Sequence, residues 1–467
     1  MSPCCPPGRA PWRQLAPVLL AGLGMALLQQ LLLAKRPPRL LELQQAAASS
    51  GPAALNLSFS RPMDRASVEE ASALSPALRF SIQGKANPLL LLPEAGQRIT
   101  APLAVRLAGH DRRGLALPAG VWHWDPRLLL VAVVPVEGGE QVQLRQPDGR
   151  WIPLSPVWAA IPELVPLGDG SGLGLVSRNG AGAHQVWRLS LDRDSLSRSD
   201  RNLGQVRRKR LERFGRRALL FAHLSTNRFG DLLVQAGGTT PESDRVMIWK
   251  RNGHRQDLDL EPSGPVSLLP QGGAAVVPEQ DGLSLRSLPP RQPLRQVLPG
   301  SRDLSSFCPV ASRALLLRHW PDFRRSLEIV EPGRAPRALW LGEEALVASA
   351  CSRGGERIWA LLIEGIGRPT LTVLALDRQG KELGRQRLEG WELEPGTGLH
   401  YDPTGDRLLL ALRPLPPPGS ESVSSETPGT GLPPKLARAR PALIDADTLQ
   451  LTLLERPVRR VRWLPAG

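Results

Sequence analysis

Four cysteines in 467 residues are too few for a disulfide framework, and their spacing lacks the C-x-x-C pairs or accompanying histidines of a zinc site. The seven histidines, at 110, 123, 184, 223, 254, 319 and 400, are never closer than 13 residues apart, so no local metal motif exists. His123 and His400 fall at similar points of the repeat described below and are read as structural. No G-x-S-x-G elbow and no H-E-x-x-H occurs. The glycine-rich run Gly168-Asp169-Gly170-Ser171-Gly172-Leu173-Gly174 fits neither a dinucleotide loop nor a P-loop, and reads as a hairpin turn. No catalytic, cofactor-binding or metal-binding residue is assigned, and no cofactor is expected. A catalytic set assembled from distant loops stays open.

Lysine is scarce as well: only six of the 59 basic residues are lysine, so the net charge of +15 is carried by arginine. Such an excess favours contact with anionic surfaces. A genomic bias toward arginine codons explains it equally well. With 47 Pro and 45 Gly the chain is turn-rich, and long helices cannot dominate it.

The exception is Leu15 to Ala34, LAPVLLAGLGMALLQQLLLA, a 20-residue uncharged stretch that would span about 30 Å as a helix. After a tail at 1–14, it reads as a transmembrane signal anchor at 15–34. Arg9 and Arg13 on one side and Lys35, Arg36 and Arg39 on the other leave its orientation ambiguous. Residues 35–51 would be a linker. Cys4 and Cys5 precede the apolar stretch and so cannot be a lipoprotein cysteine, which follows it.

In 52–121 short strand patterns alternate with turns. Leu55, Leu57 and Phe59 share one strand face, and further strands are expected near 78–82, 88–92 and 102–107, the spacing of a β-sandwich. The phrases FSRPMDRASV, LSPAL and AGHDRRGLAL resemble the bacterial Ig-like domain named after the SbsA surface-layer protein. The resemblance implies an extracytoplasmic structural or adhesive module with no catalytic residues.

From 122 to 467 one hairpin recurs about every 40 to 50 residues, the mark of a propeller or solenoid. Seven apolar strands follow polar turns, starting at Asp125, Gly170, Asn227, Gly272, Ala311, Gly355 and Thr404. Each is followed by a second strand, several of them ending in turns such as Asp148-Gly149, Asn252-Gly253 and Gln379-Gly380. A seven-bladed β-propeller is favoured, and six blades is the alternative if the first hairpin belongs to the Ig-like module. The terminal residues 458–467 have the form of an inner strand without a blade, expected to pair near 122–134 and close the ring. The phrase DPTGDRLLL and the spacing resemble TolB-type propellers. The whole chain is thus expected to be all-β apart from one N-terminal transmembrane helix.

Two features interrupt the repeat. The Pro/Ser/Gly/Thr segment 414–434 cannot build a core and reads as a disordered insertion. The basic run contributes Arg207, Arg208, Lys209, Arg210, Arg213, Arg216 and Arg217 as a candidate anionic-surface contact, with a solvated outer strand and loop as the plainer reading. Apart from Phe214 it lacks aromatic stacking partners, which disfavours nucleic acid. Cys308 and Cys351 lie one repeat apart. They can form a disulfide in an oxidising compartment or remain free buried thiols.

The order of modules points to a non-enzymatic, membrane-anchored envelope protein with most of its chain periplasmic or otherwise extracytoplasmic. Its partners would be the membrane, through the N-terminal helix, and a protein or glycan, with anionic lipid a further candidate. The alternative is a propeller hydrolase or lyase acting on a polymer.

Overall fold

The computed structural model describes residues 12–48, 51–240, 243–310, 312–365, 369–415 and 438–466. Cys4, Cys5 and nearly all of the expected insertion lie outside these residues. The apolar N-terminal stretch forms a helix, Trp12–Lys35, with Leu19, Leu20, Leu23, Met25, Leu27 and Leu28 exposed. Among the described residues no helix is long and apolar enough to cross a membrane. The expected crossing therefore has no support in the fold.

Two four-stranded sheets follow. One orders Leu40–Ala46, Ala54–Phe59, Leu89–Pro93 and Phe80–Gln83. The other orders Leu196–Ser197, Gly120–Trp124, Leu103–Leu107 and Ala73–Ser75. Leu55, Leu57 and Phe59 do share the buried face, and they meet Val105, Leu107 and Trp124 of the second sheet in one core. That makes the pair a β-sandwich.

Its limits differ from those read in the sequence. Residues 40–46, expected in a linker, are an edge strand, because their pairing with Ala54–Phe59 satisfies a backbone that a solvated stalk would leave open. Residues 122–124 belong to the sandwich as well, since Trp124 fills its core. His123 is therefore a sandwich residue and does not share a repeat position with His400. The strand Leu196–Ser197 comes from a much later turn and pairs with Trp124 and His123.

From Leu129 onward the chain forms a β-propeller. Its first sheet orders Trp151–Pro153, Gly139–Arg145, Leu129–Val136 and Arg460–Leu464. The second runs Ala160–Pro166, Gly172–Arg178, His184–Arg193, Val206–Leu219. The third runs Phe221–Thr226, Leu232–Gly237, Arg245–Trp249, Arg255–Leu258, and the fourth Ser267–Leu268, Ala274–Glu279, Gly282–Ser287, Arg295–Pro299. The fifth is Arg302–Cys308, Arg313–His319, Arg325–Val330, Arg337–Gly342, and the sixth Ala345–Cys351, Arg357–Glu364, Thr370–Asp377, Glu382–Leu388. In the seventh, both Trp391–Leu393 and His400–Asp402 pair with Arg407–Pro414, which continues to Arg440–Asp445 and Leu451–Leu453.

The recurring polar phrases are the turns between first and second strands. Asp169 Oδ1 accepts from Ser171 N, Asn227 Oδ1 from Phe229 N and Asp402 Oδ1 from Thr404 N, so a short side chain folds the backbone back on itself. The later turns use glycine: Gly149, Gly253 and Gly380 have φ near +90°, where a side chain would be strained. Apolar residues fill the seams. Val131 and Val133 pack with Leu173 and Leu175 between the first and second sheets, and Leu130 and Ala132 pack with Leu409 and Ala411 between the first and seventh. Cys308 and Cys351, at the ends of adjacent inner strands, are disulfide-bonded with Cα atoms 5.0 Å apart.

The terminal strand Arg460–Leu464 pairs antiparallel with Leu129–Val136 from Arg460↔Val133 to Leu464↔Leu129. The first hairpin is thus a ring element, not part of the sandwich. The sandwich is clasped to the ring by Arg98, which reaches Asp445 at 2.7 Å, Asp447 at 3.2 Å and Asp406 at 3.7 Å. Ile99 N also donates to Thr404 O.

Removing residues 458–467 would expose the edge of Leu129–Val136 and take away the buried side chains of Val461, Trp463 and Leu464, apolar burial of that kind being worth about 1.5–3 kcal/mol per side chain. The truncated chain is expected to lose its cooperative calorimetric transition, and an unchanged melt would refute closure by this strand. The clasp gives a second expectation. Burial would raise the Asp445 carboxyl, but the Arg98 hydrogen bond and the backbone N–H groups of Thr448 and Asp447 hold it at about 2, below its ordinary 3.8. Its stabilisation is present above pH 3.8 and is lost as pH falls toward 2. Arg98→Ala should cost about 1–2 kcal/mol at pH 7, after allowance for solvent screening, and should flatten stability between pH 4 and 2. An acid-unfolding series on both proteins measures it.

Candidate functional site in the central channel

The inner strands bring together side chains that are far apart in sequence. On the terminal strand Arg460 and Arg462 alternate with Val461 and Trp463. Val461 and Trp463 pack toward the seventh sheet, and Leu464 toward the second. Arg462 is half-buried, and its Nη1 donates to His400 Nε2 at 2.6 Å and to Val461 O at 3.0 Å. Arg460 Nη1 donates to Gly396 O, in the loop that interrupts the seventh sheet's inner edge. Next to it, Arg459 pairs with Glu394 at 3.1 Å and Glu140 at 3.7 Å.

Glu163, on the inner strand of the second sheet, accepts from Leu224 N at 3.0 Å and so ties that sheet to the third. Related latches recur around the ring. Glu140 accepts from Ile161 N, Ser225 Oγ from Leu268 N, and Ser349 Oγ contacts both Ser305 and Ser306 Oγ at 2.8 Å. Burial pushes Glu163 up to about 7 against the opposing pull of the Leu224 N–H, Arg460 and Arg462. Burial and the neighbouring Arg462 charge push His400 well below its ordinary value, so at neutral pH it is a neutral acceptor for the guanidinium. Burial and Arg460 lower Arg462 to about 10, which leaves it charged.

Beside His400 lies a cavity of about 320 Å³ lined by Ser305, Ser306, Val347, Ser349, Leu399 and Asp303, among others. Among the described residues no group of three or more His, Cys, Asp or Glu could hold a metal ion. The linked set is one carboxylate and one histidine with two arginines between them, which is an arrangement suited to holding an anion.

The basic run lies elsewhere. It is the fourth strand of the second sheet, Val206–Leu219, in register with His184–Arg193, so it completes the repeat and does not interrupt it. Arg207, Arg208, Lys209, Arg210, Arg213 and Arg217 are exposed on the outer rim, and the side chain of Arg216 is outside the described residues. Lys209 pairs with Asp192 at 3.0 Å and Arg210 with Glu212 at 2.7 Å. A charged outermost strand also keeps a long sheet edge from pairing with another chain. The channel residues Glu163, His400, Arg460 and Arg462 were missed in the sequence. The alternation of RVRW marked a strand, but nothing local showed that it would face Glu163, some 300 positions earlier.

No protein-family model matches the chain, and no curated protein matches it. Among solved structures it is similar to a putative 6-phosphogluconolactonase from Bacteroides fragilis, at 14% identity and TM-score 0.43 over 73% of this chain and 98% of that one. It is similar to TolB from Acinetobacter baumannii, at 12% identity and TM-score 0.39 over 84% and 83%. The β-propeller domain of the Trilobed protease from Pyrococcus furiosus gives 10% identity and TM-score 0.41 over 76% and 92%. All are distant, and the propeller architecture rests on the strand pairing itself.

Because Glu163 binds its proton more tightly when folded, the carboxyl costs stability as pH rises from 4.5 to about 7, with no further loss above that. Glu163→Gln keeps an acceptor for Leu224 N and removes the titration. The variant is expected to show a flatter stability profile across that window and a gain of up to about 3 kcal/mol at pH 8. Denaturant unfolding at pH 4.5, 6 and 8 measures it, and parallel profiles for the two proteins would refute it.

Proposed function

We propose that the chain is a membrane-tethered envelope protein in which an Ig-like spacer carries a seven-bladed propeller as a non-enzymatic binding or scaffolding platform for a protein or glycan partner. Each of the seven ring sheets is read as one blade, and the sandwich as the SbsA-type module. The observation that carries the reading is the rigid junction of spacer and ring. Arg98 is gripped by three carboxylates of the seventh sheet, and Arg193, nearly fully buried, donates to Arg127 O at 2.7 Å beneath the sandwich. A platform held at fixed orientation suits display. The exposed apolar side chains of the N-terminal helix, five leucines and Met25, support a tether, since water is a poor solvent for them. The Cys308–Cys351 disulfide fits an oxidising compartment, and the exposed strand Val206–Leu219 is a candidate contact with anionic lipid.

A hydrolase or lyase reading is favoured by one observation, the carboxyl of Glu163 at about 7, suited to proton transfer near neutrality. Its hydrogen bond to Leu224 N gives it a structural task that the platform reading needs and a catalytic base does not.

The expected outcome is that the full-length protein stays with the membrane fraction through alkaline carbonate extraction, and that deleting residues 15–34 releases it. A reporter fused after Gly467 should be active only outside the cytoplasm. A cytoplasmic signal, or full release of the intact chain by carbonate, would sink the proposal.

A further inference from the structure

We infer that the inner edge of the ring binds a small ligand bearing a carboxylate or phosphate group, with Arg462 and Arg460 holding the anion and the cavity between the fifth, sixth and seventh sheets, joined to Arg462 through His400, receiving the rest. This deepens the reading of the ring as a binding platform.

Both arginines keep unused donors. Arg462 spends only Nη1, on His400 and Val461 O, and Arg460 spends only Nη1, on Gly396 O. Among the described residues neither guanidinium forms an ion pair, and their Nε and Nη2 groups make no hydrogen bond. Of the nearby carboxylates, Glu140 is held by Arg459 and Ile161 N, Glu163 accepts from Leu224 N, and Glu394 reaches Arg459 through one oxygen while its other oxygen is buried without a partner. The Nε–Nη2 edge of each arginine presents two parallel N–H bonds, the geometry that takes a carboxylate or phosphate in bidentate fashion. Half-buried, those edges gain more from an anion than exposed arginines do.

The cavity of about 320 Å³ that His400 helps to line is at the small end of ligand pockets. Three serine hydroxyls, Ser305, Ser306 and Ser349, meet in it through two contacts of 2.8 Å. Two contacts absorb two of their three protons, which leaves donor and acceptor capacity for a ligand's hydroxyl groups. Leu346, Val347 and Ala348 supply the apolar part of the lining.

Titration calorimetry on the full chain with inorganic phosphate, glucuronate and glucose tests the site. At least one of the two anions should bind with a Kd of about 1 mM or tighter, and glucose should not. Binding of phosphate alone would assign a phosphate head, and stronger binding of glucuronate a carboxylate on a hydroxylated body. Arg462→Gln should weaken binding by about tenfold or more. Arg462→Lys, which keeps the charge but not the fork, should weaken it too and serves if the glutamine variant does not fold. The exposed Arg217→Gln should bind as the parent does. Failure of the parent chain to bind either anion, or equal binding by parent and Arg462→Lys, would overturn the site. Either result leaves membrane retention and topology, on which the platform reading stands, to be judged separately.

Discussion

The pairing of Arg460–Leu464 with Leu129–Val136 is the constraint on which the propeller depends. Each blade of a ring buries both faces only when it has a neighbour on each side. Here the last neighbour arrives at the end of the chain. The strand covers the edge of the first sheet and supplies Val461 and Trp463 to one seam and Leu464 to the other.

That strand is also where architecture and chemistry meet. The side chains that alternate with its seam-filling residues are Arg460 and Arg462, so closing the ring and charging the channel are one event. The carboxyl of Glu163 sits on the adjacent inner strand, and its acceptor bond to Leu224 N belongs to a series of latches that join neighbouring sheets. Charge in the channel is thus held by groups that also set the spacing of the sheets.

Much of the architecture was legible because it is local. Period-two alternation, Asx turns and Gly turns each lie within about ten residues, so the hairpins and even the role of the terminal strand could be read in the sequence. The sandwich edges could not, since Leu40–Ala46 becomes a strand only by pairing with Ala54–Phe59, and Leu196–Ser197 only by reaching back some 70 positions to Trp124. The same holds for the channel. Arg462 and His400 are 62 residues apart, and neither sits in a pattern that marks it as more than a strand residue. The basic run stood out in the sequence by density, and its place as an outer strand followed only from its pairing with His184–Arg193.

The borrowed edge strand Leu196–Ser197 has a mechanical meaning. A pull applied at residue 40 enters the sandwich along Leu40–Ala46 and is not passed to the ring through residues 125–128 alone. It is shared with the Arg98 ion pairs on one side and with a turn of the second sheet on the other. Sandwich and ring therefore transmit load in parallel and not as beads in series, so a torque on the sandwich turns the ring with it.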